Sequence, residues 1–173
     1  VVVDKPNDPT PLIRTTKVLF QDSIVNEMTQ PIIKLNPHLF FGGNCREAME
    51  FYKSVFGGEL VLTLYGEGPP DAHKDPKANS EEMKSKVMFA KLSGVITLLA
   101  SDNPNNTEAE NTGQFGLSLE GSDESIFKGY FDKLAEKGQI TAPLIKQFWG
   151  DTFGMVTDLY GVNWMVNITA NRD

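Results

Sequence analysis

Two histidines, one cysteine and 23 side-chain carboxylates are among the groups with acid–base, nucleophilic or ligating chemistry in this 173-residue chain. His38 lies in the apolar stretch Asn-Pro-His-Leu-Phe-Phe, residues 36–41. A histidine titrates near neutral pH, so facing a cleft it would act as a base or hydrogen-bond group. The same residue also reads as a strand histidine bonded to a neighbour. His73 sits in a polar loop and reads as solvated. Cys45 falls just inside the start of a helix, a place that can lower a thiol pKa. No His–Asp arrangement accompanies it, and a plain helix residue fits equally. Glu120 is a second acid–base candidate, or a solvated carboxylate at a strand end. Phe148, Trp149 and Phe153, together with Phe89, form an aromatic set able to line an apolar cleft and stack on a planar ligand, or to pack as ordinary core.

These groups need elements to hold them, and the pattern of the chain supplies the elements. Residues 36–41 read as a strand. Asn44 follows as a helix N-cap, with Glu47 completing a capping box. Ala48, Phe51, Tyr52 and Val55 recur at helical spacing, and Gly57-Gly58 ends the helix. Strands follow near 59–65, 86–92 and 95–101, with a polar loop from Gly66 to Ser80 between the first two. The order then starts again. Gln114 to Glu120 alternates as a half-buried strand, and a helix of about 123–137 presents Ile126, Phe127, Tyr130, Phe131 and Leu134. Strands near 140–147, 152–157 and 162–168 complete the second unit, with a turn at Asp158–Gly161. Strand–helix–three strands thus occurs twice, the helices starting about 79 residues apart. A repeat of this size predicts an α+β protein of two βαβββ modules, residues 31–105 and 112–170, within a domain spanning 31–173. In the last strand Val162, Trp164, Val166 and Ile168 are expected under the helix, with Asn163, Met165 and Asn167 facing the other way. Mixed faces of that kind on both modules predict a cleft shared by the two sheets.

Residues 1–30 differ: rich in Pro, Asp, Asn and Thr, they read as an N-terminal extension, with Met28 an alternative start. A net charge of −7 argues against nucleic-acid binding, which needs a basic surface. No apolar run approaches the roughly 20 residues of a membrane span, and the first residues do not read as a signal peptide. With a single cysteine, a cytoplasmic protein without disulfides is the expectation.

The segments 36–58 and 148–164, with Leu99-Ala-Ser-Asp102 between them, resemble the opening and closing signatures of PhnB-like proteins. These belong to the vicinal-oxygen-chelate superfamily, the glyoxalase/bleomycin-resistance/dioxygenase kind. The resemblance implies paired modules forming a curved mixed sheet with a central cleft, helices outside it, and frequent homodimers. Some relatives are labelled ubiquinone-pathway methyltransferases, but nothing here resembles a glycine-rich nucleotide loop after a strand.

Metal-dependent members of the superfamily, glyoxalase I among them, carry His, Glu, His and Glu on four strands facing the cleft. Carried onto this sequence, the first position falls at Pro37, or one residue on at His38. The others fall at Thr97, Gln114 and Met165. Phe89 stands where many PhnB-like proteins have a histidine. Thr and Gln are poor ligands for zinc or nickel, and a thioether suits Cu(I). The resemblance therefore implies a ligand-binding cleft of His38, Phe89, Thr97, Gln114, Trp149, Phe153 and Met165, with no metal and no other cofactor. Three functions are compatible with it: a small-molecule binder, a lyase- or dioxygenase-like enzyme using His38 or Glu120, and a ligand-free dimer module. Elemental analysis of protein purified without added metal is expected to find far less than one Ni, Zn or Fe per chain. Stoichiometric metal would overturn the expectation.

Overall fold

The computed structural model describes residues 34–69, 76–105 and 115–170. The N-terminal extension, His73 and Gln114 lie outside the described residues. The chain divides between Leu35 and Asn36, and the elements below belong to the second unit.

The first module runs β1 (His38–Phe41), α1 (Cys45–Phe56), β2 (Glu59–Leu64), β3 (Val87–Ser93) and β4 (Thr97–Asp102). The second runs β5 (Leu117–Gly121), α2 (Glu124–Ala135), β6 (Gln139–Lys146), β7 (Thr152–Thr157) and β8 (Asn163–Ile168). The two helices begin at residues 45 and 124, which reproduces the expected spacing of 79. Each module is a four-stranded mixed sheet of the same topology, β1-β4-β3-β2 and β5-β8-β7-β6. The helix carries the chain from one edge to the other, and two hairpins bring it back. The last strand of each module therefore lies parallel beside the first.

Each helix covers one face of its own sheet. Cys45, Ala48, Met49, Tyr52, Val55 and Phe56 of α1 are buried over Ala90, Leu92, Leu98 and Ala100. Phe131 and Leu134 of α2 are buried in the same core as Val156, Trp164, Val166 and Ile168. The expected apolar face of α2 extends too far in one place, since Ile126 is about half exposed. Among the positions that demand the smallest side chain, two are instructive. At Gly154 an added Cβ would fall 2.7 Å from the Leu144 backbone and 2.9 Å from the Phe131 ring. Gly58 combines a φ of +91° with backbone 2.4 Å from such a Cβ, which suits only glycine.

The start of α1 differs from the capping box expected of it. Asn44 makes no side-chain cap bond. The Asp102 carboxylate, from the end of β4, accepts from the backbone N–H of Gly43 (2.9 Å) and Cys45 (3.0 Å). Its other oxygen accepts from Val87 N–H at 2.8 Å. A full charge at the positive end of a helix outcompetes a neutral amide for those donors. In α2 the local rule holds, with Asp123 accepting from Ile126 N–H.

The modules are joined through side chains. No strand of one sheet pairs with a strand of the other among the described residues. Instead α1 reaches across: the rings of Tyr52 and Phe56 lie 5.7 and 5.3 Å from the Trp164 ring on β8. The Tyr52 hydroxyl and the Trp164 indole N–H both donate to the Asp158 carboxylate, each at 2.8 Å. Asp158 also accepts from the N–H groups of Tyr160 and Val162. Turn geometry explains that second pair, but the bond from Tyr52 is a link across 106 residues that the turn alone did not announce. Tyr52→Phe should cost about 2 kcal/mol, a hydrogen bond to a buried charge, and lower the melting midpoint by roughly 4–8 °C. Asp158→Ala, which orphans two buried donors, should cost more. A Tyr52→Phe midpoint equal to the parent's would rule out this bond as the link between modules.

Candidate functional site

Strand alternation decides which side chains each sheet turns away from its helix. In the first sheet, register aligns His38 with Leu99, Leu99 with Lys91, and Lys91 with Val61, so these four form a row on one face. Phe40, Phe89 and Thr97 share that face by parity, opposite the buried Leu39, Phe41, Ala90 and Leu98. In the second sheet one row is Glu120, Asn167, Phe153 and Ile145, and the next is Ser118, Met165, Met155 and Ala142. Trp149 leans over this face from the β6–β7 turn, its ring 6.2 Å from Phe153.

The predicted residues thus divide into two groups. His38, Phe89 and Thr97 lie on the open face of the first sheet. Glu120, Phe153 and Met165 lie on that of the second, with Trp149 at its rim. Gln114 lies outside the described residues. Because α1 packs its own sheet on one side and Trp164 of the other sheet's helix-covered face on another, the common core lies between the two sheets. Their open faces take no part in that core and carry exposed apolar side chains, Phe40, Val61 and Ile145 among them. The aromatic set expected to act together is split in the same way. Trp149 meets Phe148 and Phe153, whereas Phe89 belongs with His38.

Around His38 the geometry is specific. Its Nε2 lies 3.0 Å from the Ser101 hydroxyl, which is 8% exposed. Its ring stacks on Phe40 with centroids 4.7 Å apart, and Phe89 tilts toward it at 6.5 Å. Partial burial lowers the His38 pKa below its ordinary value of 6.5 by desolvating the imidazolium. Burial thus favours the neutral imidazole over the imidazolium, and one ring nitrogen is engaged by Ser101. Alternation from His38 made Phe40 readable in advance, but Ser101 was not, because its approach depends on pairing β1 with a strand 63 residues away.

The remaining candidates resolve differently. Cys45 is fully buried, and its thiol pKa is pushed up to about 12 by burial first, then by Asp102 and Glu47. A helix N-terminus lowers a thiol pKa only where the thiolate can be solvated or paired, and here neither holds. Trp164 is core, as its parity indicated. Glu120 is exposed. Among the described residues no group of three or more His, Cys, Asp or Glu converges as a metal site would require. A depression of about 490 Å³ opens beside β6, β7 and the start of α2, lined by Glu124, Lys146 and Thr169 among others. None of the expected site residues borders it.

Comparison with known proteins agrees with this architecture. Residues 34–166 match the Glyoxalase/Bleomycin resistance protein/Dioxygenase superfamily. Protein YjdN of Escherichia coli K12 is 31% identical over 148 residues, covering 80% of this chain and 97% of YjdN. Among solved structures, protein PA1353 from Pseudomonas aeruginosa is 36% identical with a TM-score of 0.65, covering 79% of this chain and 98% of its own. The PhnB protein of Bacillus cereus is 27% identical with a TM-score of 0.63, covering 79% of this chain and all of its own.

The lowered His38 pKa has a direction that can be measured. The unfolded chain takes up its proton first as pH falls. The cost to stability is therefore absent above about 6.5, grows between the unfolded and folded values, and is constant below both. An NMR titration should place the His38 midpoint below 6.5. A midpoint at or above that value would contradict burial as the dominant influence.

Proposed function

Because the chain belongs to the glyoxalase/bleomycin resistance protein/dioxygenase superfamily, we propose that it is a small-molecule-binding protein whose cleft is completed by a second copy of itself and holds no resident divalent metal. The observation that carries this reading is the exposure of two differently furnished sheet faces. One offers His38, Phe40 and Phe89, and the other offers Phe153, Met155 and Met165 under Trp149. Phe40 is 58% exposed, Val61 51% and Ile145 54%, an amount of open apolar sheet that a lone chain would leave in water. Placing the first sheet of one protomer over the second sheet of its partner covers both faces and makes two equivalent clefts. Such an arrangement is the isologous, closed association expected of a two-fold dimer.

The metal-free part of the reading rests on side-chain chemistry. Thr97 and Met165, at two positions where metal-dependent relatives carry ligands, are neutral and unsuited to hard or borderline divalent ions. His38 is the remaining imidazole candidate on the open faces, and its Nε2 is already bonded to Ser101. The walls that remain are apolar and aromatic with a few polar groups, the usual make-up of an organic-ligand pocket.

An enzymatic alternative has one specific observation in its favour. A neutral histidine, oriented by a buried hydroxyl, is what a general base needs. A lyase- or dioxygenase-like reaction on the same ligand would use His38 in that role, whereas Glu120 stands exposed at the strand end. The site reading is common to both functions.

Light scattering behind size exclusion should give about twice the chain mass of 19.2 kDa. A monomer at micromolar concentration would sink the shared cleft. In a thermal-shift screen planar aromatic compounds should raise the midpoint. Both His38→Ala and Trp149→Ala should abolish that rise, since one residue comes from each wall. Survival of binding in both variants would remove the cleft assignment, and no shift with any planar compound would leave a ligand-free dimer module.

A further inference from the structure

The open face of the first sheet carries one full positive charge, and its position relative to the aromatic groups is informative. Lys91 lies on the same strand as Phe89, two residues on and therefore about 7 Å along the same face. Across the sheet, Leu99 separates it from His38, so their backbones lie about 10 Å apart. Its lateral neighbours in the row are the apolar Leu99 and Val61. The nearest carboxylate by register is Glu59, a diagonal neighbour through Val61, and no ion pair joins the two. By register Lys91 thus belongs to the edge of the platform built by His38, Phe40 and Phe89, with Leu99 and Val61 beside it, Glu59 diagonal to it, and no ion pair to an acidic residue among the described residues.

Resting on the cleft reading above, we propose that the ligand is a planar aromatic molecule bearing an anionic group. The ring lies against Phe40, His38 and Phe89, and Lys91 binds the anion. A flexible four-carbon stem lets the ammonium meet a carboxylate at the platform's edge. In that apolar setting the charged pair is worth more than on an open surface. The ligand's charge is opposite to that favoured by the chain's net −7, so local placement decides selectivity while the overall field only slows encounter.

Isothermal titration of the full chain with naphthoate, naphthalene carboxamide and naphthylmethylamine tests the assignment. The parent should bind naphthoate roughly tenfold tighter than the neutral amide, and the amine most weakly. Lys91→Gln should remove the preference for the acid while leaving amide affinity within about twofold, and Lys91→Met, which keeps the apolar stem, should do the same. Equal affinity for acid and amide in the parent would overturn the anion site and leave the aromatic cleft standing. So would tighter binding of the amine, or an equal loss for acid and amide in both variants. Failure of all three probes to bind would overturn the cleft reading itself, and this inference with it.

Discussion

The carboxylate of Asp158 stands where the two modules meet, and the arrangement of everything else follows from how it is satisfied. Burying a carboxylate costs several kcal/mol unless its lone pairs find donors. Here four donors occupy the roughly four sites available: two backbone N–H groups of its own turn, the indole of Trp164, and the hydroxyl of Tyr52. Burial and the adjoining charge raise the Tyr52 pKa, so the phenol remains a donor. One of the four comes from the first module, so the charge is fully satisfied only when α1 lies against β8. That contact brings Phe56, Phe51 and Tyr130 into one aromatic cluster with Trp164 and Tyr160.

Asp102 plays the corresponding part inside the first module. Its three backbone bonds hold the turn after β1, the start of α1 and the start of β3 around the end of β4. The Tyr65 hydroxyl donates to its carbonyl, tying in the end of β2 as well. The parallel register of β1 on β4 follows, and with it the approach of His38 to Ser101. The geometry of the candidate site is thus set by a carboxylate on the far side of the same strand pair.

A sheet with apolar residues on both faces needs cover on both. Each helix provides one cover, and the joint at Asp158 uses both helices in a single core. The open faces then remain, one aromatic with His38 and Lys91, the other lined by Met155, Met165, Phe153 and Trp149. On the proposal of a cleft shared between two copies, association and ligand binding would have a common physical origin: the same apolar surface would drive the first and furnish the second.

Much of this was legible in advance because it depends on local periodicity. The two βαβββ modules, the helix spacing, the inward Trp164 and the outward Met165 follow from alternation and from glycine stops. Those signals report the energetics of short segments. The capping of α1 was misread because Asn44 is local and Asp102 is 57 residues away from Cys45. Phe89 and Trp149 belong with different sheets of one chain, which parity does not reveal, because it tells which face of a strand a residue joins and not which sheets pack together. His38 and Ser101, or Tyr52 and Asp158, meet only when distant strands and helices pack. The sequence by itself determined the elements, their order and the two sides of each sheet, since backbone geometry ties each to neighbours a few residues apart. Tertiary structure alone decided which side chains join the two modules, because the Asp158 carboxylate and the rings of Tyr52, Phe56 and Trp164 meet only when segments far apart in the chain are packed together.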